Sequence, residues 1–146
     1  MNKITVKKVT DKGTLDKVFG IRQEVFVVGQ NVPPAEEYDE FEEISTHVLA
    51  ILDNVPVGTA RWRVTEKGIK LERFAVLAEA RGKGVGQALV KATLDDIASA
   101  EGTDGKYLYL HAQLQAVPLY AKFGFEKVGD IFSECDILHY KMERYL

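Results

Sequence analysis

The chain has 146 residues, of which 46% are hydrophobic and 28% charged, proportions that suit a globular protein and exclude a disordered one. This length predicts a single domain over residues 1–146, and no internal repeat or low-complexity stretch divides it. A net charge of -3 gives no general basic surface for binding phosphates, so we expect no nucleic-acid partner.

The first residues and the cysteine content indicate a cellular compartment. The opening segment MNKITVKKVTDKG lacks the apolar core of a signal peptide, and no window approaches the ~18 apolar residues of a membrane-spanning helix. The lone Cys135 cannot form an internal disulfide, which agrees with a reducing compartment. We therefore predict a cytoplasmic protein with no membrane partner.

In chain order, the first predicted elements are a strand and a helix. Residues 4–9 have the pattern of a short strand, and Thr10 or Asp11 is placed to cap a helix that runs through Val25. Two consecutive prolines, Pro33 and Pro34, then exclude regular pairing. The segment that follows them is acidic, with six acids at Glu36, Glu37, Asp39, Glu40, Glu42 and Glu43.

The rest of the chain alternates strands and helices. Three consecutive antiparallel strands fit residues 47–77, with turns at 53–54 and 66–68. An amphipathic helix begins at the glycines of residues 82–86 and ends near Gly102. A buried strand, a short helix over residues 116–123 and two final strands complete the pattern, which predicts an α/β protein with a mixed sheet.

The segment RGKGVG at residues 81–86 is the strongest chemical signal, because it lies between an apolar strand and an amphipathic helix. Glycines let backbone amides approach an anion closely, and a helix N-terminus adds partial positive charge, so a diphosphate is the expected ligand. Arg81 and Lys83 can add charge-assisted hydrogen bonds. The spacing fits neither a GxxxxGK loop nor a dinucleotide fingerprint, and a merely flexible connection is the alternative.

Two ordered motifs carry a resemblance to a known family. Arg81, Gly84 and Gly86 fit the pattern of Arg or Gln, two residues, Gly, one residue, then Gly or Ala, and LYAKFGF follows at residues 119–125. Both are similar to signatures of the GNAT (GCN5-related N-acetyltransferase) superfamily. The segments IRQEVFVVGQNVPPAEEYDEFEE and ILHYKM also resemble a bacterial branch similar to the ElaA and YjcF groups.

The resemblance implies a fold and a donor site. The fold would be a mostly antiparallel mixed central sheet of six to seven strands with about four helices, splayed between strands 4 and 5. The donor would be acetyl-CoA, with its pyrophosphate held by backbone amides and its pantetheine arm beside the end of strand 4. The residues implied in binding are Phe74, Ala75, Val76, Arg81, Gly82, Lys83, Gly84, Val85, Gly86 and Tyr120, with Gln113 where many relatives have Asn.

Acyl transfer to an amine requires a neutral nucleophile, a stabilised oxyanion and a proton for the leaving thiolate. Tyr120 matches the family tyrosine that serves the leaving sulfur, and the alternative is a tyrosine that only packs. The resemblance assigns the oxyanion to the backbone amide near Val76.

The general base has two candidates, Glu72 and His111. Glu72 lies two residues before Phe74, which predicts that both share one strand face, and His111 is expected at the end of the fifth strand. Against these roles, Glu72 can pair with Arg61, Arg63 or Arg73, and His111 can be a hydrogen-bonded sheet residue.

No metal site is expected, because the spacing of Cys135, His139 and His47 matches no zinc signature. Cys135 is also a weak nucleophile candidate, since no obvious neighbour activates its thiol. The acidic segment 36–43 is interpreted either as a selector of cationic amines or as solvated surface.

Together these observations predict an N-acetyltransferase in which a primary amine attacks acetyl-CoA directly. The acceptor is a small-molecule or peptide amine, and a homodimer is one outcome that the resemblance allows. A non-catalytic acyl-CoA sensor would keep the glycine loop without needing Tyr120. An enzyme that acylates hydroxyls or uses longer acyl chains would keep every motif.

Overall fold

A computed structural model describes residues 3–103 and 105–146. Seven strands form one sheet in the order β1-β2-β3-β4-β5-β7-β6, antiparallel at every junction except β4–β5. This confirms the predicted mixed sheet with its splay between strands 4 and 5. The strands are β1 (Ile4–Lys8), β2 (Thr46–Leu52), β3 (Val55–Val64), β4 (Ile69–Val76), β5 (Tyr107–Gln113), β6 (Glu126–Glu134) and β7 (Ile137–Tyr145).

Four α-helices accompany the sheet in the described part of the chain, as predicted. The α-helices are α1 (Lys12–Arg22), α2 (Pro34–Glu37), α3 (Val85–Ser99) and α4 (Val117–Ala121). Asp11 caps α1 by accepting a 2.7 Å hydrogen bond from the backbone N–H of Thr14, which selects Asp11 over Thr10. Within the described residues, no helix is long and apolar enough to cross a membrane.

The first helix departs from its predicted end at Val25. Its α-helical part stops at Arg22, and a π-helical turn continues over Gln23–Val28. Val25 and Phe26 of this turn are both buried. The apolar spacing was interpreted with the ~100° per residue of a regular α-helix, so it did not reveal the π-helical turn.

The two helices α1 and α3 cover opposite faces of the sheet. On one face α3 packs Val90 and Ile97 against Leu71 and Leu108. On the other face, Val18 and Ile21 of α1 belong to a cluster with Leu49 and Ala75. Residues from β4 therefore enter both cores.

The cleft between β4 and β5 follows from how few residues pair there. The register contains only Ile69 with Leu108 and Lys70 with Tyr109, so the two strands separate beyond these pairs. Neighbouring strands in a regular sheet stay within ~5 Å, and this separation leaves the facing backbone edges without strand partners. The opening lies between the two helical layers.

A β-bulge at Arg73 changes the predicted facing of β4. Arg73 has φ 58, and the register shifts between Thr59 and Arg61 on the partner strand. As a result Phe74 packs with the α3-side clusters, whereas Glu72 contacts arginines on the α1 side. The prediction that Glu72 and Phe74 share one face is therefore wrong, because the extra residue breaks the two-residue alternation.

Two buried arginines tie the segment after α2 to the rest of the fold. Arg22 is fully buried and donates to Glu37 (2.7 Å) and to both oxygens of Glu42 (2.8 Å each). Arg61 is 1% exposed and binds Asp39 through two parallel hydrogen bonds of 2.9 and 2.6 Å. Glu42 also accepts from Arg61 (2.7 Å), so one carboxylate joins both guanidinium groups.

We expect Arg22→Met to lower the free energy of unfolding by about 3–5 kcal/mol, because it removes the buried guanidinium that Glu37 and Glu42 share. Urea unfolding followed by circular dichroism measures the change. Lys91→Met is the matched control: it breaks an exposed pair with Asp95, whose contribution is below about 0.5 kcal/mol. A loss in Arg22→Met no larger than that of the control would contradict the structural role of the network.

Candidate functional site

A cleft of about 740 Å³ opens where β4 and β5 separate. It extends from the start of α3, past the ends of both strands, to the turn between β6 and β7. Every residue proposed from the sequence for binding or catalysis lines it except Lys83: these are Glu72, Phe74, Ala75, Val76, Arg81, Gly82, Gly84, Val85, Gly86, His111, Gln113 and Tyr120. One concave surface thus collects residues from four parts of the chain.

The glycine-rich loop presents an uncapped helix start to the cleft. Gly84 is the N-cap residue of α3 with φ 87, and no side chain caps the helix. The first backbone N–H groups of an α-helix have no partner inside the helix, and here they remain available. Since α3 has 15 residues, its dipole adds partial positive charge at this point. The arrangement fits a diphosphate.

The end of β4 offers further backbone groups. The N–H of Leu77 donates to the carbonyl of Val57 in β3 (2.8 Å). Because backbone groups alternate sides along a strand, the N–H and C=O of Val76 point away from β3, towards the gap. The Arg81 Nε donates to the Val76 carbonyl (3.0 Å), so this side chain supports the strand end as well as the loop.

Tyr120 is 6% exposed and lies at the wall of the cleft. Its ring packs edge-on against Phe74, with centroids 5.4 Å apart, and against Phe125 at 6.3 Å. Burial raises the pKa of its hydroxyl, and no hydrogen bond to a described residue contributes to that shift. The phenol is therefore a neutral donor without a partner in the described part of the chain.

The carboxylate of Glu72 is bound by basic side chains. Its Oε2 accepts from Arg61 (2.9 Å) and Arg63 (2.7 Å), and Lys70 lies 3.4 Å from its other oxygen. Burial opposes ionisation, but the charge of Arg61 and the hydrogen bond from Arg63 outweigh it and lower the pKa of Glu72. A carboxylate held in this way is a weak proton acceptor.

His111 has a different environment. It lies within β5, two residues before the strand ends at Gln113, rather than at the end as expected. Its Nδ1 is 3.0 Å from Glu134 Oε2 of β6, and 26% of its side chain is exposed. The imidazole therefore has one nitrogen in a hydrogen bond and is accessible from the cleft.

Gln113 joins the two sides of the cleft. It exchanges hydrogen bonds of 3.2 and 3.0 Å with Gln30, which follows the π-helical turn, and it also accepts from Gln115 (2.7 Å). These contacts occupy the amide in the structure. The proposed contact of Gln113 with a pantetheine arm stays a prediction.

Cys135 lies at the turn between β6 and β7 and donates to Glu36 Oε2 at 3.0 Å. This hydrogen bond, with a contribution from burial, raises the pKa of the thiol to about 11. The thiol is consequently protonated at neutral pH, which argues against a nucleophilic role. Over residues 3–103 and 105–146, no three His, Cys, Asp or Glu side chains are grouped to hold a metal ion.

Three of the six acids in the segment 36–43 are bound to arginines and are therefore not free to bind an amine. Glu37, Asp39 and Glu42 pair with Arg22, Arg61 and Arg73. Burial raises the pKa of Asp39, but the hydrogen bonds from Arg61 prevail and lower it to about 2. Of these three acids, Glu37 and Asp39 line the cleft.

Among the polar residues that line the cleft, Gln30 and Glu134 were not identified from the sequence, and Arg73 was considered only as a possible partner of Glu72. Gln30 is hydrogen-bonded to Gln113, and Glu134 to His111. The two residues of each pair are far apart in the chain. Arg73 departs from the regular strand pattern only in its backbone conformation. No local pattern distinguishes such residues from ordinary polar ones.

Comparison with known proteins identifies the family. An acetyltransferase (GNAT) domain model matches residues 7–146. The uncharacterized N-acetyltransferase YjcF of Bacillus subtilis (strain 168) is 42% identical over 129 residues, covering 88% of this chain and 90% of the relative. These matches extend well beyond the glycine-rich loop.

Solved structures agree as well. Escherichia coli ElaA superposes with a TM-score of 0.83 at 26% identity, covering 97% of this chain and 99% of that one. An acyl-CoA N-acyltransferase from Pseudomonas aeruginosa gives a TM-score of 0.81 at 26% identity, covering 99% of both chains. The similarity to the ElaA and YjcF groups that the sequence predicted is confirmed.

We expect Gly84→Ala to lower the free energy of unfolding by about 1–2 kcal/mol, because φ 87 is unfavourable for a residue with a Cβ. The added carbon would meet no atom closer than 3.8 Å, so the cost comes from the backbone alone. Gly20→Ala in α1 is the control, where open space and helical geometry predict a gain of up to about 1 kcal/mol. Equal effects in chemical denaturation would contradict the left-handed conformation.

Proposed function

Because the chain belongs to the GNAT acetyltransferase family and is an acyltransferase, we propose that it transfers the acetyl group of acetyl-CoA to a primary amine by direct attack. One observation carries the proposal. A single cleft joins an uncapped helix start, a strand end with outward-facing backbone groups and the hydroxyl of Tyr120, which has no hydrogen-bond partner among the described residues. These three features correspond to the pyrophosphate, the thioester and the leaving sulfur of the donor.

The donor is proposed to lie along backbone groups. The amides of residues 82–86 bind the pyrophosphate, and Arg81 adds charge beside them. The pantetheine arm follows Phe74, Ala75 and Val76 at the opened edge of β4. The N–H of Val76 is directed into the gap, where it can stabilise the oxyanion that forms on the thioester carbonyl.

The chemistry requires one proton to leave the amine and one to reach the sulfur. The neutral amine attacks the thioester carbon, and the C–S bond breaks as the amide forms. The sulfur leaves with the bonding electron pair and takes the proton of Tyr120, which regains one from water. His111 accepts the proton that the amine loses.

Between the two predicted bases we favour His111. Glu72 already accepts hydrogen bonds from two arginines, and its lowered pKa makes it a poor proton acceptor. Its catalytic role stays a prediction, and its contacts support a role in holding the cleft wall. His111 keeps a ring nitrogen outside its hydrogen bond with Glu134. The acceptor, a small-molecule or peptide amine, is proposed to enter on this side.

We expect saturable binding of acetyl-CoA in calorimetric titration, weakened at least about tenfold by Gly84→Trp, which obstructs the loop with an indole. Gly20→Trp is the matched control, because a Cβ there meets nothing within 4 Å on an exposed helix face. Circular dichroism establishes that all three chains are folded. A folded native chain that does not bind acetyl-CoA would refute the proposal.

We expect Tyr120→Phe to reduce kcat about 10²–10⁴-fold while leaving the Kd for acetyl-CoA within about twofold, since the ring contacts with Phe74 remain. A screen of amines with thiol release as the readout identifies the acceptor first. Tyr145→Phe is the control, because Tyr145 is exposed and outside the cleft. Tight acetyl-CoA binding without transfer to any amine would favour the acyl-CoA sensor instead.

A further inference from the structure

The β6–β7 hairpin places a carboxylate against the imidazole of His111. His111 Nδ1 lies 3.0 Å from Glu134 Oε2. That hydrogen bond lowers the pKa of Glu134, so its carboxylate is ionised at neutral pH and can only accept. The shared proton therefore belongs to Nδ1, and Nε2 of the neutral ring keeps its lone pair.

We propose that Glu134 is the positioning residue of His111: it selects the tautomer in which Nε2 can take the proton of the acceptor amine, and it stabilises the imidazolium that results. The inference rests on the proposed function, in which His111 is the base. It gives a role to β6, a strand that the donor site does not use.

The imidazole is also fixed by aromatic packing. Phe132 of β6 meets the His111 ring edge-on, with centroids 5.1 Å apart at 80°. The same phenyl ring stacks on His139 of β7 at 5.7 Å and 21°. An irregularity between Val128 and Phe132 shifts the register of β6 against β7. Phe132 and Glu134, two residues apart, both reach His111 from the segment beyond that shift.

The tip of the hairpin is anchored as well. Cys135 and Asp136 have φ values of 52 and 60, as in a tight two-residue hairpin turn. Cys135 donates to Glu36, so the residue next to Glu134 is tied to α2. Glu134 is consequently held between a paired strand and an anchored turn, which limits the positions its carboxylate can adopt.

Other charges near His111 do not replace Glu134. The other titratable and charged groups that share the cleft with His111 or lie at neighbouring strand positions include Cys135 on the turn, His139 and Lys141 on β7, Tyr109 on β5, and Lys70 and Glu72 on β4. Of these only Glu72 is a carboxylate, and it already binds Arg61 and Arg63. Within the described residues, Glu134 is the carboxylate that contacts His111.

The first test needs no substrate. Long-range ¹H–¹⁵N spectra report the tautomer of each of the three histidines, and His111→Gln assigns the signals of His111. We expect neutral His111 to carry its proton on Nδ1 in the native chain and in Glu134→Gln, whose amide oxygen still accepts, and to shift towards the Nε2–H form in Glu134→Ala. A native Nε2–H form, or the same tautomer in Glu134→Ala, would overturn the inference.

The second test uses the acceptor found in the amine screen. We expect Glu134→Ala to lower kcat at least about tenfold with little change in KM for acetyl-CoA. Glu134→Gln, whose amide oxygen still accepts from Nδ1, should retain more of the native kcat than Glu134→Ala. Glu126→Gln, an exposed carboxylate on the same strand, should resemble the native chain in kcat and KM. An unchanged kcat in Glu134→Ala would overturn the inference.

The two tests separate failure of the inference from failure of the proposed function. A chain that transfers acetyl to no amine would refute the proposed function, and the tautomer spectra would still decide whether Glu134 controls His111. A chain that is active, with a tautomer independent of Glu134, would keep the function and refute the inference.

Discussion

The buried arginine network is the constraint on which the cleft depends. Glu42 bridges Arg22 of α1 and Arg61 of β3, and neither guanidinium has access to water. A buried charge is costly unless its hydrogen bonds are complete, so the segment after α2 has few alternative positions. Arg61 also holds Glu72. The wall of the cleft is therefore set by electrostatic pairing, whereas the helices on either side of the sheet are held by apolar packing.

Two irregularities in β4 create the cleft and bring its residues together. Early separation from β5 exposes backbone groups, and the bulge at Arg73 turns Phe74 towards α3 and α4. Phe74 then packs on Tyr120, which brings the phenol to the same opening. A regular strand would pair along its whole length and leave no unpaired amides. Arg73 also contacts the backbone of Glu37, which links the bulge to the acidic segment.

The features that were predicted from the sequence are those that depend on residues close together in the chain. The sheet, the four helices and the glycine loop follow from patterns within short windows, such as the glycines that open α3 and the cap at Asp11. The side of the cleft around His111 could not be predicted in the same way, because its contact with Glu134 joins distant strands. The bulge at Arg73 was also hidden, since nothing in the residue types signals a positive φ there. When two interacting residues are far apart in the chain, the residue types alone do not indicate that they pair.

The order of strands in the sheet has a consequence for folding. β7 comes after β6 in the chain but lies between β5 and β6, so β5 has its full set of neighbours only when β7 has been made. Until then β5 presents an open edge during synthesis, and its apolar residues Leu108 and Leu110 lack Met142 as a packing partner. Because β6 pairs with β7 and carries Glu134, the hydrogen bond of His111 with Glu134 also depends on β7. The contact between His111 and Glu134 can therefore form only after β7 has been synthesised, whereas the glycine-rich loop at residues 81–86 precedes β5 in the chain.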